Sequence, residues 1–289
     1  MEPSTKEKLK ALVQERAGVV VPGAFNALSA KVIQDLGYRA SYVTGAGVTN
    51  MSLGLPDQGF MGLAEIADHT ARIRDAVDLP LLVDADTGFG NALNVRHTVR
   101  VLERAGADCI QFEDQVSPKR CGHFDGKSVI RTDEAVNKIK AAVDARTDDN
   151  LLIMARTDAA AVDGFEAAVE RARQFGEAGA DILFVEALTD REQVLSLPGM
   201  VDQPLIANLV IGGKTPLVSA AELAEAGYGI VLYANAALQG AVFGMQNALT
   251  ALRDTGRVTE EDNLVVGFAE RQRLVDKPAW DALNDRYSS

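Results

Sequence analysis

Two cysteines, Cys109 and Cys121, are all that 289 residues contain, too few for a disulfide framework. Basic residues are also in deficit, with 29 Lys and Arg against 41 Asp and Glu, and the net charge of −12 works against sustained binding to nucleic acid or to an anionic membrane. No apolar run approaches the roughly 18 residues that a membrane span requires. The opening stretch through Val21 is charged where a secretory leader would be apolar. A glycine-rich phosphate turn is missing after the first apolar run, which counts against an open dinucleotide-binding sheet. The expectation is a cytoplasmic protein that meets any anionic ligand through a local exception to its acidity. Its 47% hydrophobic and 24% charged residues suffice for a sizeable core.

What the chain does have is alternation. Short runs rich in branched aliphatics occur at Val19–Val21, Ala40–Thr44, Leu81–Asp86, Asp108–Glu113, Leu151–Arg156, Asp181–Glu186, Pro204–Asn208 and Gly229–Tyr233, separated by longer Ala-, Leu- and charge-rich stretches at helical period. This is the pattern of repeated βα units on a parallel sheet. Near-continuous Val, Ile and Leu suits strands buried on both faces. Eight units in about 235 residues predict a closed (β/α)8 TIM barrel, taken as a catalytic domain over residues 1–255. Residues 256–289 form a helical extension, over roughly Thr259–Leu274 and Pro278–Tyr287, of the kind that packs on a partner or over the barrel mouth. Two inserts, Gly45–Met61 and Gln115–Thr132, exceed the usual βα loop and are expected to be substrate loops.

In such a barrel the chemistry gathers at the carboxyl ends of the strands. There the apolar runs end in Thr44, in Asp84 and Asp86, in Glu113 and Asp114, in Arg156, Thr157 and Asp158, in Glu186 and in Asn208. Asp84 and Asp86 lie two apart, which on a strand puts both on one face. With Glu113 they make three hard oxygen donors, a set that favours Mg2+, with Mn2+ as the alternative, over zinc. The run Lys119-Arg120-Cys121-Gly122-His123 surrounds a thiol with cationic groups, and Cys121 could serve as nucleophile, metal ligand or proton donor. Zinc is disfavoured because His69 and His97 fall in helical stretches. Cys109, inside the fourth run, reads as a small core residue.

The motifs YVTGAG, PDQG, DADTGFG, QFEDQ, KRCGH, ARTDA, FVEA and AN followed by GGKTP, in this order from about Val21 to Gln239, resemble the isocitrate lyase / phosphoenolpyruvate mutase superfamily. KRCGH is similar to its carbon–carbon lyase branch, the 2-methylisocitrate and 2,3-dimethylmalate lyase-like proteins. The resemblance implies a Mg2+-dependent lyase that cleaves a 2-hydroxy di- or tricarboxylate by retro-aldol chemistry to pyruvate or glyoxylate plus a carboxylic acid. It implies that Tyr42, Thr44, Gly45 and Ala46 cradle the substrate, and that Asp57 is an active-site carboxylate. Asp84, Asp86 and Glu113 would hold the metal, partly through water. Cys121 would be the catalytic acid, with His123 beside it and Lys119 and Gly122 at the substrate. Arg156, Glu186 and Asn208 would position substrate and loop. A homotetramer that exchanges C-terminal helices is implied too. Two positions depart from the family pattern, Ile211 where an acidic residue is common and Ala234 where Pro usually follows Tyr. Ile211 argues for a less charged or more alkylated substrate. The alternatives are oxaloacetate decarboxylation or C–P bond chemistry on phosphonopyruvate-type substrates, and, outside enzymes, a metabolite-binding barrel.

Overall fold

In a computed structural model that describes residues 2–120, 126–213 and 215–288, the eight expected runs are eight parallel strands. They are β1 (Val19–Ala24), β2 (Ser41–Val43), β3 (Leu81–Asp84), β4 (Cys109–Glu113), β5 (Leu152–Thr157), β6 (Ile182–Val185), β7 (Ile206–Asn208) and β8 (Ile230–Tyr233). Neighbours in sequence are neighbours in space and β1 also pairs with β8, so the sheet curls into a (β/α)8 barrel. One junction is thin. Between β6 and β7 the pairing is a single parallel bridge, Leu183 to Leu205, whereas the other junctions run in parallel register over two or more consecutive residues.

The helical stretches fold as α2 (Ala27–Asp35), α4 (Leu63–Ala76), α5 (Ala92–Arg104), α6 (Thr132–Val143), α7 (Phe165–Glu177), α8 (Arg191–Ser196), α9 (Ala220–Ala226) and α10 (Ala236–Thr255). Gly106 and Gly179 follow α5 and α7 with φ of 96° and 101°, backbone that only glycine adopts without strain. Buried aliphatics between strands and helices form the outer core, while Val21, Leu82, Cys109, Met154, Phe184 and Leu232 fill the barrel interior. Cys109 is a core residue as expected.

Two helices were not expected. α1 (Thr5–Gln14) starts at a capping box, Ser4 with Glu7, and packs Leu9, Leu12 and Val13 onto the barrel interior, closing its amino end. α3 (Gly45–Leu53) occupies the first half of the insert read as a loop. In the extension, α11 (Phe268–Leu274) and α12 (Lys277–Tyr287) form, but 259–267 contributes only a short 3-10 turn. Among the described residues no helix is long and apolar enough to cross a membrane.

Candidate active site

A cavity opens at the carboxyl ends of the strands, and its wall draws on six of them or the residues just beyond: Tyr42, Thr44 and Ala46, Asp84, Arg156, Phe184 and Glu186, Asn208 and Val210, Leu232, Ala234 and Asn235, with Asp57 from the β2 insert. Parallel strands of a barrel all end at one rim, so residues separated by nearly 200 positions meet there by topology alone. Thr44 caps α3, its hydroxyl accepting from Gly47 N–H at 3.2 Å, and so sets at that rim the first turn of a helix, whose leading N–H groups have no partner within the helix.

Asp84 is held by its neighbours. Its Oδ1 accepts from Asp86 N–H and from Gln111 Nε2, both at 3.1 Å, while Gln111 Oε1 accepts from the Tyr42 hydroxyl at 2.9 Å. Oδ2 is left facing Gly45, where a Cβ would lie 3.0 Å from it and 3.6 Å from Asp86 Oδ1. The two carboxylates therefore converge on a cradle that exists because residue 45 has no side chain. They reach it differently from the sequence expectation: β3 ends at Asp84, and Asp86 lies beyond it with φ of 46°. Burial pushes the Asp86 carboxyl up to about 7, against the pull of Lys119.

Lys119 is not an open cation awaiting an anion. Its buried ammonium lies 2.5 Å from Asp57 Oδ1 and 2.9 Å from Asp86 Oδ1. Burial alone would lower it, but Asp86, Glu113 and Asp57 outweigh that and hold it well above its usual range. Glu113 is raised by burial despite Arg156, whose Nη1 is 3.3 Å from Glu113 Oε2 and 3.4 Å from Glu186 Oε2. Asn208 Nδ2 donates to that same Glu186 oxygen at 3.2 Å. Burial, and after it the charge of Asp84, keeps the Tyr42 phenol neutral far above 10.

Several expectations shift in detail. Among the described residues no three acidic, histidine or cysteine side chains are gathered so as to hold a metal ion, and Glu113 turns one oxygen to Arg156. The other, Oε1, is buried without a hydrogen-bond partner, and so is Asp86 Oδ1, which meets Lys119 in ion-pair range without hydrogen-bond geometry. Ile211 is half exposed and Val210 lines the cavity instead, whereas Ala234 does line it. Asp114 points away, to Thr157 and Arg171. Cys121, Gly122 and His123 lie outside the described residues. The sequence reading passed over Gln111 and Asn235, and gave Asp158 no role. Gln111 sits beside Asp84 in the β3–β4 register, a signal readable only once the strands are paired.

A family model described as phosphoenolpyruvate phosphomutase matches residues 9–253. A 2-methylisocitrate lyase of Aeropyrum pernix is 46% identical over 256 residues, covering 89% of this chain and 82% of that protein. A 2,3-dimethylmalate lyase of Eubacterium barkeri is 42% identical over 272 residues, 94% of each. Among solved structures, an oxaloacetate acetylhydrolase in complex with 3,3-difluorooxalacetate superposes with a TM-score of 0.93 at 32% identity, covering 99% of this chain and 98% of that one.

Proposed function

The chain belongs to the phosphoenolpyruvate phosphomutase family, and from that premise we propose that it is a carbon–carbon lyase acting on a 2-hydroxy di- or tricarboxylate of the 2-methylisocitrate or 2,3-dimethylmalate kind. The observation that carries the reading is the convergence of Asp84 and Asp86 on the Gly45 cradle, with Asp84 lining the same cavity as the buried Arg156. Two hard oxygens aimed at one point, with a third buried and unpartnered on Glu113, suit a divalent cation bound partly through water. Mg2+ is the ion proposed, with Mn2+ as its substitute. When bound, such an ion supplies Lewis acidity to the 2-oxygen of the substrate and its adjacent carboxylate.

The chain's own groups do the rest. The N–H groups of Gly45 and Ala46 receive the substrate's carboxylate end, while the neutral Tyr42 hydroxyl, donating to Gln111 Oε1, fixes the amide that in turn holds Asp84. Tyr42 stays protonated, so the base that takes the 2-hydroxyl proton is a carboxylate, and that role is assigned to Asp57, which lies in the cavity wall and pairs with Lys119. As the C–C bond breaks, charge builds on the departing fragment's carboxylate, where Arg156 stabilises it while Glu186 and Asn208 hold the arginine side of the pocket. Cys121 then delivers the proton to carbon. His123 lies two residues on in sequence, and an unperturbed thiol, with a pKa of ~8.5, is mostly protonated at neutral pH. Phe184, Val210, Leu232 and Ala234 give the cavity an apolar side that suits an alkyl substituent.

The barrel over 1–255 is proposed as the catalytic unit of a cytoplasmic homotetramer, with 256–289 exchanged between subunits. In support, α10 buries only Leu238 within its own chain and exposes Phe243, Met245 and Leu249. An apolar face of that length is covered in a stable protein.

The test incubates the protein and Mg2+ with 2-methylisocitrate, 2,3-dimethylmalate, isocitrate, oxaloacetate and phosphonopyruvate. Pyruvate or glyoxylate release, lost by about 100-fold or more in Cys121→Ser, is the expected result. Release of CO2 or phosphate without a carbon fragment, or hydrolysis of oxaloacetate alone, overturns the lyase reading.

A further inference from the structure

The Arg156 guanidinium has three carboxylates around it, but they do not bind it alike. Glu113 and Glu186 approach Nη1 at 3.3 and 3.4 Å. Asp158 takes the opposite edge in two bonds, Nε to Oδ2 at 2.9 Å and Nη2 to Oδ1 at 3.1 Å. A two-pronged contact of that kind fixes both the plane and the rotation of a guanidinium, and here it leaves Nη1 as the end turned to Glu113 and to Glu186 of the cavity wall.

Asp158 is itself tethered. Its backbone N–H donates to Asp114 Oδ1 at 2.9 Å. A second cation, Lys127 Nζ, donates to its Oδ1 at 2.7 Å, and the two side chains are 0% and 2% exposed. Burial works against the carboxylate's charge, but Arg156 and Lys127 outweigh it and keep Asp158 ionised. Lys127 comes from the connection between β4 and α6, so one carboxylate joins that connection to the arginine of β5. Desolvating three charges adds little net stability; what it provides is orientation.

We infer that Asp158 and Lys127 are a positioning pair for Arg156, setting the guanidinium so that Nη1 meets the carboxylate of the bound substrate. The inference rests on the reading of this cavity as a site for carboxylate substrates. A charge that merely sits nearby and one that positions give opposite signs. If Asp158 were a bystander, Asp158→Asn would remove a negative charge and tighten an anion, and the double variant Asp158→Asn/Lys127→Gln, which leaves the net charge unchanged, would bind as the wild type does. If the pair positions Arg156, both variants weaken the anion, by about ten- to hundredfold for a displacement near 1 Å.

Oxalate in the presence of Mg2+, titrated by calorimetry into wild type and both variants, reads this directly, with thermal melts to confirm that each is folded. Weaker oxalate in the variants is expected. Tighter or unchanged oxalate in either folded variant overturns the inference, and the double variant, which removes the pair together, keeps the test alive if Asp158→Asn does not fold. A wild type that binds oxalate with this pattern yet cleaves no 2-hydroxy acid sinks the lyase reading and leaves the positioning intact. A wild type that does not bind oxalate sinks both.

Discussion

Replacing Gly45 with alanine separates the cation site from the fold. Gly45 is the first residue of α3 with ordinary backbone, so alanine is tolerated there and by helix propensity favours the helix by up to about 1 kcal/mol. The added methyl, however, would sit 3.0 Å from Asp84 Oδ2, in the space where a bound Mg2+ at about 2.1 Å from that oxygen must fit. Asp84 cannot turn away cheaply, because its other oxygen is held by Gln111 and by the Asp86 N–H. The expected outcome is a protein within about 1 kcal/mol of wild-type stability without metal, the helix gain set against the tight contact with Asp84, and with divalent-ion affinity at least tenfold lower, about 1.4 kcal/mol. Thermal melts in a Mg2+ series measure it. A ligand at 100 times its Kd adds about 2.7 kcal/mol to the native state, which for a chain of this length raises Tm by about 4 °C. The variant at the same concentration should show roughly half that rise or less. A full wild-type response in Gly45→Ala would show that the ion does not bind between these carboxylates.

Tyr42→Phe should leave Gln111 Oε1 without its buried partner at a cost of about 1–3 kcal/mol, while the basic limb of the pH–rate profile stays where it is, because the phenol does not ionise below 10. An alkaline limb that disappears in this variant would show that Tyr42 ionises in that range and serves as a proton donor. Asp86 has a folded pKa raised by burial to about 7, so between the ordinary carboxylate range and 7 the native state binds more protons than the unfolded one. Stability without metal should therefore fall as pH rises through that window, with a smaller slope in Asp86→Asn; equal slopes in melts at pH 5 and pH 8 would contradict this. Phe243→Glu on the exposed face of α10 should lower the oligomeric state in analytical ultracentrifugation, and an unchanged mass would remove α10 from the interface.

The strands were legible because each is a compact run of branched aliphatics bounded by polar residues, a signal that survives without tertiary context. α3 was not, since Gly45, Gly47 and Asn50 are poor helix formers. It forms because Thr44 caps it and Val48 and Thr49 are buried beneath it. α1 did carry a local signal, Ser4 with Glu7 three residues on, but its fate as the floor of the barrel depends on apolar contacts to strands far along the chain. The rim residues could be picked out as the polar ends of apolar runs, yet their partners could not. Lys119 reaches back 62 positions to Asp57, and Lys127 forward 31 to Asp158. Those pairings follow from which loops fold over the rim, not from any spacing.

The thin junction between β6 and β7 is spanned at its lower part by the Leu183–Leu205 bridge and at its upper end by the hydrogen bond from Asn208 to Glu186. The second clasp is made by side chains that also face the cavity. Whatever displaces that amide from its carboxylate loosens the stave where the wall has the least backbone to resist, so a bulkier guest would be admitted on this flank before any other. Amide protons of β6 and β7 should accordingly exchange ahead of those in β4 and β5, and slow down when the cavity is filled.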